Sequence, residues 1–314
     1  MRLVTRSDFD GLICGFLLRE IQLIDSWVFV HPKDLQDGRF AATSDDVLVN
    51  VPFVPGCGLW FDHHSSEFER VWADFNGSSR LAPSCARVVF EHFGGLDRFP
   101  DRAEMVDYAD RIDSANLTLL EIMEPEGWVL LGFLTDPRSG LGRFRDYTIS
   151  NYQLMDKLLA DYFLAPVGDI LAMPDMLERS TRYFNEDARF RSMITANTRV
   201  EENVIFTDLR HINDIRVGNR FIIYSLYPEQ NVSLWVTHGR GGANTSISCG
   251  HSVINRSCHT DVGSLMLQYF GGGHRQVGTC QVSNAEADTI IAELLNRLKA
   301  DDFSPYDTTG GYLP

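Results

Sequence analysis

The chain has 314 residues, 44% of them hydrophobic, with 43 acidic against 28 basic side chains and a formal net charge of −15. That balance argues against a long nucleic acid as partner, because non-specific grip on a phosphate backbone comes from clustered Lys and Arg. The length predicts two domains. Six cysteines without a Cys-x-x-Cys pair predict reduced, mostly buried thiols. The sequence starts directly in a strand and contains no apolar stretch near the ~20 residues of a membrane span, so the expectation is a cytoplasmic protein with no membrane partner.

The first predicted element is a buried strand over Arg2–Thr5, followed by Ser7-Asp8-Phe9-Asp10-Gly11. A helix over Gly11–Gln22 comes next, because Leu12, Ile13, Phe16, Leu17 and Ile21 recur at helical spacing. Strands at Trp27–Val30, Val47–Val49 and Leu59–Phe61 end at His31, Asn50 and Asp62. Their short continuous apolar runs suit a parallel sheet covered on both faces. Ala82-Pro83-Ser84 opens a helix through Glu91, with Pro83 near its first turn and Gly94-Gly95 closing it. A further helix over Glu104–Arg111 leads into Asp113-Ser114-Ala115-Asn116, and a strand-like run, Trp128–Leu134, approaches Asp136. Tyr152–Phe163 and Asp175–Met193 read as helices, the second long and polar enough to connect domains. From Val204 the runs become short and β-rich: Val204–Phe206, Arg220–Tyr224, Val232–Val236 and Thr245–Cys249. A helix over Val262–Tyr269 then delivers Gly271-Gly272-Gly273-His274-Arg275. The fold class is therefore α/β: a doubly wound, mostly parallel sheet over residues 1–175, a linker helix over 176–194, a second, smaller α/β domain over 195–301, and a poorly ordered or surface-wrapped tail over 302–314.

Chemistry concentrates where apolar runs end. Asp8 and Asp10 stand one residue apart behind the first strand, and Asp62-His63-His64 stands behind Leu59-Trp60-Phe61. Carboxylates and neutral imidazoles suit Mn²⁺, Mg²⁺, Fe²⁺ or Zn²⁺, and the carboxyl edge of a parallel sheet is where such ligands collect. Alone, an Asp-x-Asp is common in acidic proteins and a His-His pair is more often a surface feature. Their joint occurrence behind two strands favours a metal site. Three consecutive glycines can offer backbone N–H groups to a phosphate, with His274 and Arg275 adding donors; a flexible helix stop is the plainer alternative. Arg138, Arg143, Arg145, Arg256 and Arg275 are the candidate cations for a short anion.

In this order, Ser7-Asp8-Phe9-Asp10-Gly11, Asp62-His63-His64 and Gly271-Gly272-Gly273-His274-Arg275 resemble the DHH phosphoesterase superfamily with its DHH-associated C-terminal domain, over nearly the whole chain. Within it the sequence looks most similar to bacterial exopolyphosphatase-related proteins. The resemblance implies a metal-dependent phosphohydrolase acting on a small phosphodiester or phosphoanhydride: a short oligonucleotide, phosphoadenosine phosphate, a cyclic dinucleotide or short polyphosphate. It implies Mn²⁺, with Mg²⁺ as the alternative, held by Asp8, Asp10, Asp62 and His63 with a fourth-motif aspartate. Asp113, in Ile112-Asp113-Ser114-Ala115-Asn116-Leu117 and fifty positions after His63, takes that place, with Asp136 as its rival. It also implies that His64 touches substrate phosphate or orients a metal ligand, and that Arg256, Gly271, Gly272, Gly273, His274 and Arg275 bind substrate in a cleft closed by the second domain.

Two positions depart from the family pattern. Members with two metals usually carry a histidine shortly before the first aspartate and a bridging aspartate at the end of the second-motif strand. Here those places read Arg6 and Asn50. A guanidinium has no lone pair to give, so Arg6 can neutralise phosphate but cannot replace an imidazole ligand. Asn50 offers only a weak carbonyl donor. With His64, Arg6 and Asn50 as the catalytic candidates, two classes follow: the hydrolase, and a nucleotide- or phosphate-binding homologue with weak or no hydrolysis. The sequence leaves the oligomeric state open, a homodimer included.

Overall fold

The computed structural model describes residues 1–64, 67 and 74–302; residues 303–314 of the expected tail lie outside the described residues. Two compact units are present, Met1–Asn185 and a second that begins at Glu186. The division falls inside a single helix, Pro174–Ala196, the segment that the sequence singles out as a connector. Among the described residues no helix is long and apolar enough to cross a membrane.

The first unit is built on five parallel strands: β1 (Arg2–Thr5), β2 (Ser26–Phe29), β3 (Asp46–Val49), β4 (Leu59–Asp62) and β5 (Gly77–Ser79), in the order β2-β1-β3-β4-β5. The central strands are short and apolar at successive positions because both faces are covered. On one face Val4, Leu48 and Trp60 pack with Leu35 of helix α2 (Pro32–Gln36). The intervening Leu3, Val47, Val49 and Phe61 are fully buried as well. Helix α1 (Phe9–Glu20) follows β1, and after β5 come α3 (Cys85–His92), α4 (Ala103–Asp113), α5 (Leu119–Met123), α6 (Gly127–Thr135), α7 (Asn151–Ala160), α8 (Val167–Ala172) and α9 (Pro174–Ala196).

Two local expectations need correction. Trp128–Leu134 is no strand but most of α6, buried without interruption from Trp128 to Thr135. A helix apolar all round shows no amphipathic period, so its sequence cannot be told from a buried strand. In the second unit Arg220–Tyr224 is not a strand: α10 spans Ile222–Leu226.

The second unit holds a six-stranded sheet of β6 (Thr198–Glu201), β7 (Val204–Asp208), β8 (Val232–His238), β9 (Thr245–His251), β10 (Gly272–His274) and β11 (Val277–Val282), ordered β10-β11-β9-β8-β7-β6. Only the β7–β8 pairing is parallel. One sheet face buries Val204, Leu234, Ile247 and Cys280 against α11 (Val262–Leu267) and α12 (Ala287–Ala300). The triple glycine is part of this packing. Gly271 N–H donates to Met266 O at the end of α11, and Gly273, at φ 155°, sits where a Cβ would lie 2.1 Å from Val277 O. The glycines therefore close a β-hairpin, a role the sequence leaves undistinguished from a phosphate loop.

Asp301, in left-handed conformation after α12, ties this unit's last helix to the segment before α11. Its Oδ1 accepts from His259 N at 2.9 Å, Thr260 N at 3.1 Å and Thr260 Oγ1 at 3.0 Å, while Oδ2 accepts from Asn231 Nδ2 at 3.0 Å. Burial works against the charged carboxylate, but these donors and the Cys258 thiol outweigh it and hold its pKa below the ordinary 3.8. A depressed carboxylate stabilises the fold fully above its unfolded value, and that stability is lost as pH falls through the folded one. Asp301→Asn, which keeps the left-handed geometry, is expected to cost about 1 kcal/mol at pH 7, a charged hydrogen-bond value discounted for partial exposure. Its effect on denaturant midpoints should shrink as pH falls through the depressed folded pKa; a loss that stays equal from pH 7 into strong acid would show that the charge is not what Asp301 contributes.

Candidate metal centre

The site is assembled where β1 gives way to α1. Asp8 is the N-cap of α1, its Oδ1 accepting from Gly11 N at 3.0 Å. Gly11 is required there because a Cβ would lie 2.5 Å from Arg6 O and 2.6 Å from Thr5 Oγ1. That close start of the helix points Asp10, in the first turn and only 2% exposed, into the sheet edge. Asp10 then meets a second helix end on: Oδ1 accepts from Ala86 N at 2.7 Å and Oδ2 from Cys85 N at 2.9 Å, both in the first turn of α3. Free N–H groups and the positive end of the helix dipole are the natural partners of a buried carboxylate.

The N-cap of α3 also sets the next ligand. Ser84 Oγ accepts from Arg87 N at 3.0 Å and donates to Asp110 Oδ1 at 2.6 Å; Arg87 Nε reaches Asp110 Oδ2 at 2.8 Å. This network locks α4 to α3, and α4 ends in Asp113.

His63 follows β4 and completes the group. Its Nδ1 lies 3.1 Å from Ala82 O. A carbonyl only accepts, so Nδ1 carries the proton and Nε2 presents a lone pair. That Nε2 is buried without a hydrogen-bond partner, yet faces Asp113 Oδ2 at 3.3 Å and Asp10 Oδ2 at 3.8 Å. Two carboxylates and this imidazole nitrogen converge, their ligating atoms all within 4.8 Å of one another. Two carboxylates and a neutral imidazole fit a divalent cation such as Mn²⁺. Without one, burial first, and then the charge of Asp113, push the Asp10 carboxyl up to about 7.

The other predicted residues surround this group in different roles. Asp62, fully buried, holds His64: Oδ1 lies 3.0 Å from its Nδ1 and Oδ2 accepts from its backbone N at 3.1 Å. Burial opposes the charge on His64, but the Asp62 hydrogen bond and charge overcome it and raise its pKa to about 9. His64 is thus an imidazolium at neutral pH, beside the His63 ring, the centroids 4.4 Å apart. Asp8 accepts from Asn50 Nδ2 at 3.2 Å and pairs with Arg6 Nε at 3.1 Å. Asn50, 1% exposed and at φ 54°, leaves its Oδ1 buried without a partner. Of the two rival aspartates, Asp113 joins His63, whereas Asp136 Oδ1 accepts from Arg138 N and Nε, both at 2.8 Å. Arg138 is exposed and within electrostatic range of Asp113 and Asp8. In the second unit, Arg256 Nε donates to Val253 O at 3.2 Å and Arg275 Nη2 to His259 O at 3.5 Å; both are exposed, and His274 lies in β10.

Several contributors carry no signature in the sequence: the N–H groups of Cys85 and Ala86, and the carbonyl of Ala82. The Ser84 cap was their one visible trace.

Among solved structures, the chain matches the pGpG-specific phosphodiesterase PggH of Vibrio cholerae at 43% identity, covering 96% of this chain and 99% of that one with a TM-score of 0.81. The chain belongs to the DHH phosphoesterase superfamily. It is accordingly a metal-dependent phosphohydrolase with that family's fold. An exopolyphosphatase-related protein of Bacteroides fragilis matches at 14% identity, over 95% of this chain and 92% of that one, TM-score 0.51. A DHH-domain protein described as a member of the S1p family of ribosomal proteins matches at 12%, over 95% and 86%, TM-score 0.56. These two share the fold alone. No protein-family model and no curated protein sequence matched.

Two outcomes follow from the geometry. Because a proton on Asp10 competes with a cation below about pH 7, Mn²⁺ affinity measured calorimetrically should fall roughly tenfold from pH 8 to pH 6, with protons released on binding; a pH-independent affinity would contradict the assignment of Asp10. Gly11→Ala should force Asp8 and Asp10 apart from the Arg6 backbone and weaken Mn²⁺ binding at least tenfold, an effect that an unperturbed titration of the variant would exclude.

Proposed function

We propose that this DHH phosphoesterase hydrolyses the internal phosphodiester of a short guanine dinucleotide of the pGpG type, with a divalent ion at Asp10, His63 and Asp113. The observation that carries the reading is the near-full-length 43% identity to a pGpG-specific phosphodiesterase. Adding water across that one linkage yields two GMP molecules. A net charge of −15 agrees with a short anion drawn into a local site and not with a long polyanion gripped by the surface.

Asp10, His63 Nε2 and Asp113 would hold the ion, and Mn²⁺ suits a set that includes an imidazole better than Mg²⁺ does. When bound, the ion supplies Lewis-acid polarisation of the phosphate and a more acidic water. His64 brings a proton and a positive charge to the same edge, and Asp62 fixes its ring while keeping it charged. Asp8 keeps the β1–α1 loop in shape through its cap and its pairing with Arg6. In the second unit Arg256, His274 and Arg275 serve as further phosphate donors in this reading.

Steady-state hydrolysis of pGpG in Mn²⁺ tests the proposal. Wild type should turn over, and Asp10→Asn or His63→Ala should lower kcat/KM by about a thousandfold or more, the order expected when metal and its activated water are lost. Tight pGpG binding with no turnover in wild type would favour the nucleotide-binding alternative.

A further inference from the structure

We infer that the site takes one divalent ion and that Arg6 supplies, as a fixed cation, the second positive charge that receives the substrate phosphate. The inference rests on the phosphodiesterase reading above and concerns how this chain completes that site.

The carboxylate next to the Asp10–His63–Asp113 group is Asp8, and its oxygens are already engaged. Oδ1 takes Gly11 N at 3.0 Å and Asn50 Nδ2 at 3.2 Å, and Oδ2 takes Arg6 Nε at 3.1 Å. The orientation of the Asn50 amide follows from this contact, since a carboxylate only accepts and the group facing it must be the NH₂. A second ion at Asp8 would therefore confront an amide donor and a guanidinium. Those groups repel a cation where a neighbouring ligand pair would have to attract one. Asp8 accordingly stands outside the set whose ligating atoms converge.

Arg6 has what a phosphate receptor needs. Its Nε is anchored 3.1 Å from Asp8 Oδ2, and the side chain is 29% exposed. Held at one end, a guanidinium presents a planar pair of N–H donors matched to two phosphate oxygens. A scissile phosphate beside an ion held at Asp10, His63 and Asp113 is the anion that this anchored fork matches.

Calorimetric titration of the full chain with Mn²⁺ alone, followed by inorganic phosphate added to the Mn²⁺-saturated protein, tests both halves. Wild type should take one ion per chain. Asp8→Asn, which still caps α1, should keep that ion within about threefold in affinity, whereas the double variant Arg6→His with Asn50→Asp, which adds a lone pair and a carboxylate, should take two. Arg6→Met should bind phosphate at least tenfold more weakly at unchanged Mn²⁺ stoichiometry, with partial recovery in Arg6→Lys, which also serves should the Met variant not fold. Two ions in wild type, or equal phosphate affinity in wild type and the Arg6 variants, overturns the inference and leaves the phosphodiesterase reading standing. No ion in wild type overturns both.

Discussion

A carboxylate removed from water without a counter-charge is among the costliest groups a fold can hold, and Asp10 is 2% exposed with a second carboxylate and a bare imidazole nitrogen facing it. Much of the first unit's edge is arranged to make that tolerable. The two N–H groups at the start of α3 solvate Asp10, the Ser84 cap holds α3 in place, and Asp110 carries the same restraint on to α4. These contacts orient the oxygens without discharging the cluster. The raised proton affinity of Asp10 is the residual imbalance, and it is what a divalent cation removes. Ligand geometry and metal affinity therefore share one cause.

The same edge separates the two histidines by the partner each is given. His63 has a carbonyl behind it, which fixes the proton on Nδ1 and leaves Nε2 as a neutral donor to metal. His64 has the carboxylate of Asp62 behind it and is held as a cation. Two neighbours of identical chemistry thus become a ligand and an electrophile through a difference of one supporting group. Arg6 adds a permanent charge beside them, fixed by Asp8.

The alternation of short apolar runs with helical spacings in residues 1–62 made the parallel sheet legible, because runs of three or four apolar residues are too short for a buried helix. The candidate ligands were legible for a related reason: Asp10 and His63 each follow such a run. Asp113 was preferred to Asp136 from its segment and its spacing after His63, and the structure places it, at the end of its helix, beside His63, although the run before Asp136 imitates a strand. Asp62 was grouped with the metal ligands because sequence shows a carboxylate and not the direction in which it points; it points at His64. The glycines at 271–273 were ambiguous in the same way, since loop freedom and close hairpin packing ask for the same residue. What sequence concealed throughout was the work of backbone groups, which every residue carries.

The most direct test is the location of the bound ion by anomalous scattering from Mn²⁺-soaked crystals. The account predicts density between Asp10, His63 Nε2 and Asp113 at about 2.0–2.2 Å from the nearest ligand atoms, with the Asp62–His64 contact intact. An ion coordinated by Asp62, His64 or Asp136, with His63 Nε2 left bare, would contradict it.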